Sequence, residues 1–342
     1  MLNVRGALLL SLCLLCACNR SHHNVTKGFY YWKTTYKPSA FERNTLHQLG
    51  VRKMYVRFFD VDEDAATGHT IPIAPVRIEA KDSGFAYIPV IFITQRALIT
   101  LNDSAVPQLA NSICGLTQSL CGQAGLTPQE VQIDCDWTKG TKEKYFHLLR
   151  LIKQDLFIKG KTLSCTIRLN QVKYKLNTGI PPVDKGLLMC YGMGTLKKYG
   201  PYNSILDADG AKDYLRHIDD YPLPMDMALP IFEWCVLFRE QQFRGILHEV
   251  TTADVNGCSL FRQTGQNLYT CLHDSVWHAC RLQKDDIIRA EAPAYKDLLA
   301  IADYSATRIK NTDLNIILFA CDSITLSKYS TNDLRAVYNC YQ

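Results

Sequence analysis

Val131-Gln132-Ile133-Asp134-Cys135-Asp136-Trp137-Thr138 alternates in character with a period of two. Val131, Ile133, Cys135 and Trp137 fall on one side, and Gln132, Asp134, Asp136 and Thr138 on the other. Successive side chains of a strand point to opposite faces, so the pattern predicts a strand carrying two carboxylates on one face. Carboxylates that close repel each other and resist desolvation. A purely structural strand has little use for them, and the stretch reads as the functional anchor of the chain.

On either side the chain alternates strand-like and helical patterns. Upstream, strands are expected over 29–36, 53–61 and 87–94, with a helix over 39–49. Val106, Leu109, Ile113, Leu116 and Leu120 recur at helical spacing, as do Tyr145, Leu149, Ile152 and Leu156 downstream. Further strands are expected over 162–169, 187–193, 227–238 and 315–323, and helices over 211–218, 295–310 and 331–341. Eight such units predict an α/β fold, a (β/α)8 TIM barrel. The competitor, an open doubly wound sheet that binds a nucleotide, lacks a GxGxxG or Walker-type loop after the first strand. Residues 239–290 break the rhythm with short β-like pieces and turns, and read as a small β-rich insertion after strand seven.

Within that insertion Cys271-Leu272-His273-Asp274-Ser275-Val276-Trp277-His278-Ala279-Cys280 is palindromic. A hairpin with a four-residue turn would set His273 opposite His278 and Cys271 opposite Cys280. A Cys2His2 metal site and a disulfide are both conceivable there, but the spacing matches no usual zinc pattern. Ordinary packing of a β-insertion is the reading adopted, with no metal and no cofactor assigned. Of 14 cysteines, three precede residue 19. Cys135, Cys165, Cys190, Cys235 and Cys321 lie inside apolar strand-like runs, where cysteine behaves as a small hydrophobe. Beyond Cys18 no CxxC pair occurs.

The first residues read as a targeting segment, with Arg5 as the positive region and 7–15 as the apolar core. Leu15-Cys16-Ala17-Cys18 resembles the bacterial lipoprotein signal, which implies lipidation of Cys18. The expected organisation is a leader over 1–18, a tether over 19–28 and the barrel over 29–342. This places the protein in the bacterial cell envelope, at the outer membrane or periplasmic face, held to the membrane only through its lipid. His22 and His23 on the tether are taken as incidental. The net charge of +5 is mild and unclustered, which argues against nucleic acid as a partner. A monomer is expected.

Barrel chemistry collects at the C-terminal ends of the strands. That rule selects Asp136, Glu233 and Asp134 as catalytic candidates. It selects Trp32, Tyr36, Arg57, Asp60, Trp137, Arg168, Gln171, Tyr191, Trp234 and Asp322 as substrate-binding candidates. Aromatic rings suit the apolar faces of sugars, and carboxylates and amides suit their hydroxyls, so a glycan is the expected partner.

Ile133-Asp134-Cys135-Asp136-Trp137 also resembles the IDxDW core of the fourth strand in family 18 glycoside hydrolases, the chitinase type, whose full pattern is DGxDxDxE. Leu188-Met189-Cys190-Tyr191 is similar to that family's sixth-strand tyrosine motif, and Met227-Ala228-Leu229-Pro230-Ile231-Phe232 to its seventh-strand LGLPFYG run. The resemblance implies that Asp136 orients an acetamido group and that Tyr191 supports it. The departures matter as much. Val131 and Gln132 replace the leading Asp and Gly, Gly192 replaces an Asp, and Thr138 replaces the Glu that serves as general acid. A threonine hydroxyl cannot act as an acid near neutral pH. Two expectations follow. One is a glycoside hydrolase using Asp136 and Glu233, retaining if the carboxylates stand about 5 Å apart and inverting at about 6.5–9.5 Å. The other is a catalytically inactive, glycan-binding lipoprotein derived from a chitinase-like barrel.

Overall fold

The computed structural model describes residues 23–194 and 196–342. The expected leader, Cys18 and His22 lie outside them. Eight parallel strands form a closed barrel: β1 Asn24–Tyr31, β2 Lys53–Glu63, β3 Ala86–Ile93, β4 Glu130–Cys135, β5 Thr162–Arg168, β6 Lys185–Met189, β7 Met225–Pro230 and β8 Asp313–Phe319. Each pairs with its successor, and β8 pairs with β1, for example Asn24 with Asp313 and Gly28 with Ile317. Strands with apolar residues on both faces, such as Tyr-Ile-Pro-Val-Ile-Phe-Ile in β3, need helices outside and packing inside. The outer layer supplies the first with helices such as Val106–Ala124, Lys142–Gln154 and Tyr295–Ala306. The helix Ala40–Leu49 begins with a Ser39/Glu42 capping box and stops at Gly50, whose φ of 72° only glycine adopts without strain.

The barrel interior is layered. At its N-terminal end an ionic network joins four strands. Glu130 lies 3.3 Å from Lys53 Nζ and 3.2 Å from Lys185 Nζ, and Lys185 is 2.6 Å from Asp226. Asn315 donates to Asp226 through both its backbone N–H and its Nδ2. Above it Tyr30, Tyr55, Val90, Leu187, Ala228 and Ile317 fill the middle, all almost fully buried. Tyr30 donates to Gln132.

Three sequence expectations change. The tether expected over 19–28 overlaps the barrel, because β1 already begins at Asn24. That end of β1 is half exposed, so its polar residues mimic a linker. His23 is buried, with its ring nitrogens 2.9 Å from the Asn311 carbonyl and 3.0 Å from that of Ala306. Strand seven, expected over 227–238, is two strands: β7 ends at Pro230, and Trp234–Arg239 opens the insertion. The insertion therefore starts earlier than residue 239. It is an antiparallel five-stranded sheet in the order Gln242–Leu247, Trp234–Arg239, Ile287–Glu291, Leu268–Cys271, Phe261–Gln263. It has a core of its own around Cys235, Val255, Cys271 and Ile288. Finally, the palindrome does not pair as a unit. Its hairpin turns tightly at His278 and Ala279, with Trp277 facing Cys280, while Cys271 faces Phe261.

Arg289 fastens this insertion to the barrel. It is fully buried, donates 2.6 Å to Glu291, and donates to the carbonyls of Leu196, Lys198 and Gly200 in the loop after β6. Glu291 in turn accepts from Ser204 N–H and, at 2.7 Å, from its hydroxyl.

Candidate functional site

A cleft of about 1120 Å³ opens over the C-terminal ends of the barrel strands. Its floor is aromatic because the strands end in aromatic residues there. Phe319 packs against Trp32 at 5.8 Å, Tyr191 at 5.6 Å and Phe232 at 5.3 Å between ring centroids. The insertion contributes Ile246 to Thr251 as a wall, and the segment after β8 contributes Asp322, Ile324 and Lys328.

Asp136 lies just past the end of β4, and its side chain is half exposed in the cleft. Both its oxygens are held by Arg168 of β5, through Nε and, at 2.9 Å, through Nη2. Burial works against the Arg168 charge, but Asp136 beside it holds the guanidinium pKa above its ordinary value. Gln171 locks the pair in place: it accepts from Arg168 N–H at 2.8 Å and donates to the Trp137 carbonyl at 2.9 Å. Asp134, one pleat lower, is buried and accepts from the Thr166 hydroxyl at 2.6 Å. Its burial pushes the carboxyl up to about 6, with Arg168 pulling the other way.

Glu233 follows β7 and is nearly buried. Its carboxylate pairs with Lys328 and accepts from Thr252 N–H at 3.1 Å and the Thr252 hydroxyl at 2.7 Å. It thus ties the insertion to the segment after β8. Thr138, where the family pattern has its acid, donates its N–H to the Thr141 hydroxyl at 2.9 Å. Tyr191 O–H and Trp234 Nε1–H are buried at the cleft with no hydrogen-bond partner among the described residues.

Of the sequence candidates, the cleft brings together Trp32, Asp136, Trp137, Arg168, Gln171, Tyr191, Glu233, Trp234 and Asp322. Several have structural tasks there. The Trp137 ring is buried, stacks on Tyr145 at 5.2 Å and donates to the Thr178 carbonyl at 2.9 Å. Asp322 caps the short helix Ser323–Leu326 through Thr325. Three candidates are corrected. Tyr36 lies beyond the end of β1, in a two-residue strand, and is buried against Tyr31 and Tyr87 away from the cleft. Arg57 and Asp60 form a forked pair with each other, at 2.7 and 2.5 Å, across a register shift in β2, and do not line the cleft. Sequence reasoning missed Phe232, Phe319 and Lys328. The strand-end rule reaches Phe319, but its apolar side chain reads as core; Lys328 carries no signal in the sequence.

No protein-family model matches the chain, and no curated protein matches it. Solved structures do. The spore cortex-lytic enzyme SleL of Bacillus cereus matches with a TM-score of 0.55 and 13% identity, over 94% of this chain and 75% of that one. A mutant GH18 chitinase of Cycas revoluta in complex with (GlcNAc)4 gives 0.53 and 9%, over 93% and 100%. A chitinase-like agglutinin of Robinia pseudoacacia gives 0.52 and 11%, over 92% and 99%. The fold is that of the chitinase-type barrels. At these identities the likeness establishes architecture, and the resemblance expected from β4 holds at that level. On this barrel the insertion stands after β7, and the cleft opens over the C-terminal ends of the strands.

Proposed function

We propose that this chain is a glycan-binding barrel without chitinase-type hydrolysis. The observation that carries the reading is the engagement of both candidate catalytic carboxylates. Asp136 is forked by Arg168, and Glu233 is held by Lys328 and Thr252. A general acid must carry a transferable proton within reach of the leaving oxygen. Both carboxylates already spend their oxygens on partners within the protein, and Thr138 supplies no substitute. The cleft meanwhile keeps what sugar binding needs, an open trough with aromatic faces and a few polar groups. Cys18 would carry the lipid that holds the barrel at the envelope. A Cys18→Ser protein recovered in the membrane fraction would refute that anchoring.

A second reading rests on one observation, that Asp136 and Glu233 line the same cleft. A pair of carboxylates flanking a glycosidic bond is the basis of most glycosidases. Protein lacking residues 1–18 should be screened for glycan-array binding and for release of reducing ends. Binding without turnover, weakened at least about tenfold by Trp32→Ala, is the expected result. Turnover abolished by both Glu233→Gln and Asp136→Asn would replace the binding reading with the enzymatic one.

A further inference from the structure

We infer that the ligand of this cleft is an acidic sugar, its carboxylate received by Nη1 of Arg168 and the hydroxyl of Tyr191. The inference rests on the glycan-binding reading and names the class of glycan.

The first ground is the state of the Arg168 fork. Its Nε and Nη2 are engaged by Asp136, which fixes the guanidinium plane. Nη1 makes no hydrogen bond to any described residue, and the side chain is 28% exposed in the cleft. An arginine oriented by one carboxylate presents its remaining edge, already ordered, to a second. Gly192 keeps that edge open. A Cβ at residue 192 would lie 3.6 Å from Nη1, and the φ of 74° there excludes most side chains.

Tyr191 is an independent ground. It is 7% exposed, lines the same cleft, and its hydroxyl has no partner among the described residues. Burial pushes its pKa well up, so the group stays a phenol and can donate. An unsatisfied buried hydroxyl costs about 1–3 kcal/mol, which a ligand oxygen would recover.

The balance of donors and acceptors then selects the chemistry. Asp136, Glu233 and Asp322 already accept hydrogen bonds. Arg168 Nη1, which makes no hydrogen bond to a described residue, and the buried Tyr191 O–H and Trp234 Nε1–H, which have no partner among the described residues, can all donate into the cleft. A neutral sugar hydroxyl offers these donors a single acceptor oxygen. A carboxylate brings acceptors only, and its two oxygens match a guanidinium edge and a neighbouring hydroxyl. The added negative charge falls beside the Arg168–Asp136 pair, whose own charges offset each other.

Calorimetric titration of the protein freed of its leader tests this. The probes are oligogalacturonate, alginate and hyaluronan oligosaccharides, the same oligomers with carboxyls reduced to alcohols, and chito-oligosaccharides. At least one acidic oligomer should bind, its reduced form at least about tenfold more weakly. Tyr191→Phe should weaken the acidic ligand about five- to tenfold without lowering thermal stability, and should raise it if anything, because the lost hydroxyl is buried with no partner among the described residues. Arg168→Lys, which keeps the charge but not the fork, should weaken it further. Equal binding of native and reduced oligomers, or binding of chito-oligosaccharides alone, would overturn the acidic-sugar inference and leave the glycan-binding reading standing. Binding of no glycan on the array would overturn both.

Discussion

Asp134 is fully enclosed between strands, one pleat below the residue that reaches the cleft, and its single close partner among the described residues is the Thr166 hydroxyl. Its carboxyl titrates at about 6 in the folded protein against 3.8 for the free group. The folded state therefore holds the proton more tightly than the unfolded one. Its contribution is complete below pH 3.8 and is lost as pH rises through about 6, so the ionised group weakens the fold at neutral pH. That difference in proton affinity corresponds to about 3 kcal/mol. Asp134→Asn, isosteric and neutral, should raise stability by about that much at pH 8, the gain vanishing by about pH 4. Parallel denaturation curves for the two proteins across that range would refute the assignment. The sequence showed the paired carboxylates of β4 plainly. It could not show that one is enclosed and the other forked by Arg168, because that depends on the neighbouring strand.

At the scale of elements, β4 and β5 were legible from their alternating runs, whereas β6 and β8 were placed but expected to run on to 193 and 323, past their ends at Met189 and Phe319. The junction after β7 was not. Met227 to Phe238 is almost continuously apolar, so two strands of different sheets read as one. The polar residue inside that run, Glu233, reads as a strand-end functional group, whereas the structure engages it in joining Thr252 to Lys328. Glu233→Gln should lower stability by about 2 kcal/mol, the usual worth of hydrogen bonds to a charged group, and should do so with no ligand present. A variant as stable as the parent would return Glu233 to the free carboxylates. Arg289 is the stronger fastener. Arg289→Met leaves Glu291 buried without its cation and frees three carbonyls of the loop after β6. Amide exchange should accelerate across 196–204 while protection in β3 and β4 stays unchanged. Uniform acceleration would show instead that the insertion and barrel unfold as one unit.

Across the whole molecule, the buried ionic network and the candidate binding cleft occupy opposite ends of one barrel. The ionic network of Lys53, Glu130, Lys185 and Asp226 closes the N-terminal end, and the aromatic cleft opens the other. Lys185→Met should cost about 3 kcal/mol or more, by leaving two buried carboxylates short of a cation, yet should leave glycan affinity of the folded protein unchanged. A fall in affinity that tracks the fall in stability would show the two ends to be coupled. The early start of β1 at Asn24 has a consequence for how the molecule would stand on a membrane. β1 enters from the N-terminal end of the barrel, and five residues separate it from Cys18. The six steps from Cys18 to Asn24 reach at most about 22 Å when extended. An acyl chain on Cys18 would therefore draw the closed end of the barrel down onto the lipid headgroups and turn the cleft outward. A fluorophore at Lys159, in the turn leading into β5, should be quenched by headgroup-labelled lipid, and one at Glu249, on the rim of the cleft, should not. The cleft would then face its surroundings by construction, with no hinge needed to present it.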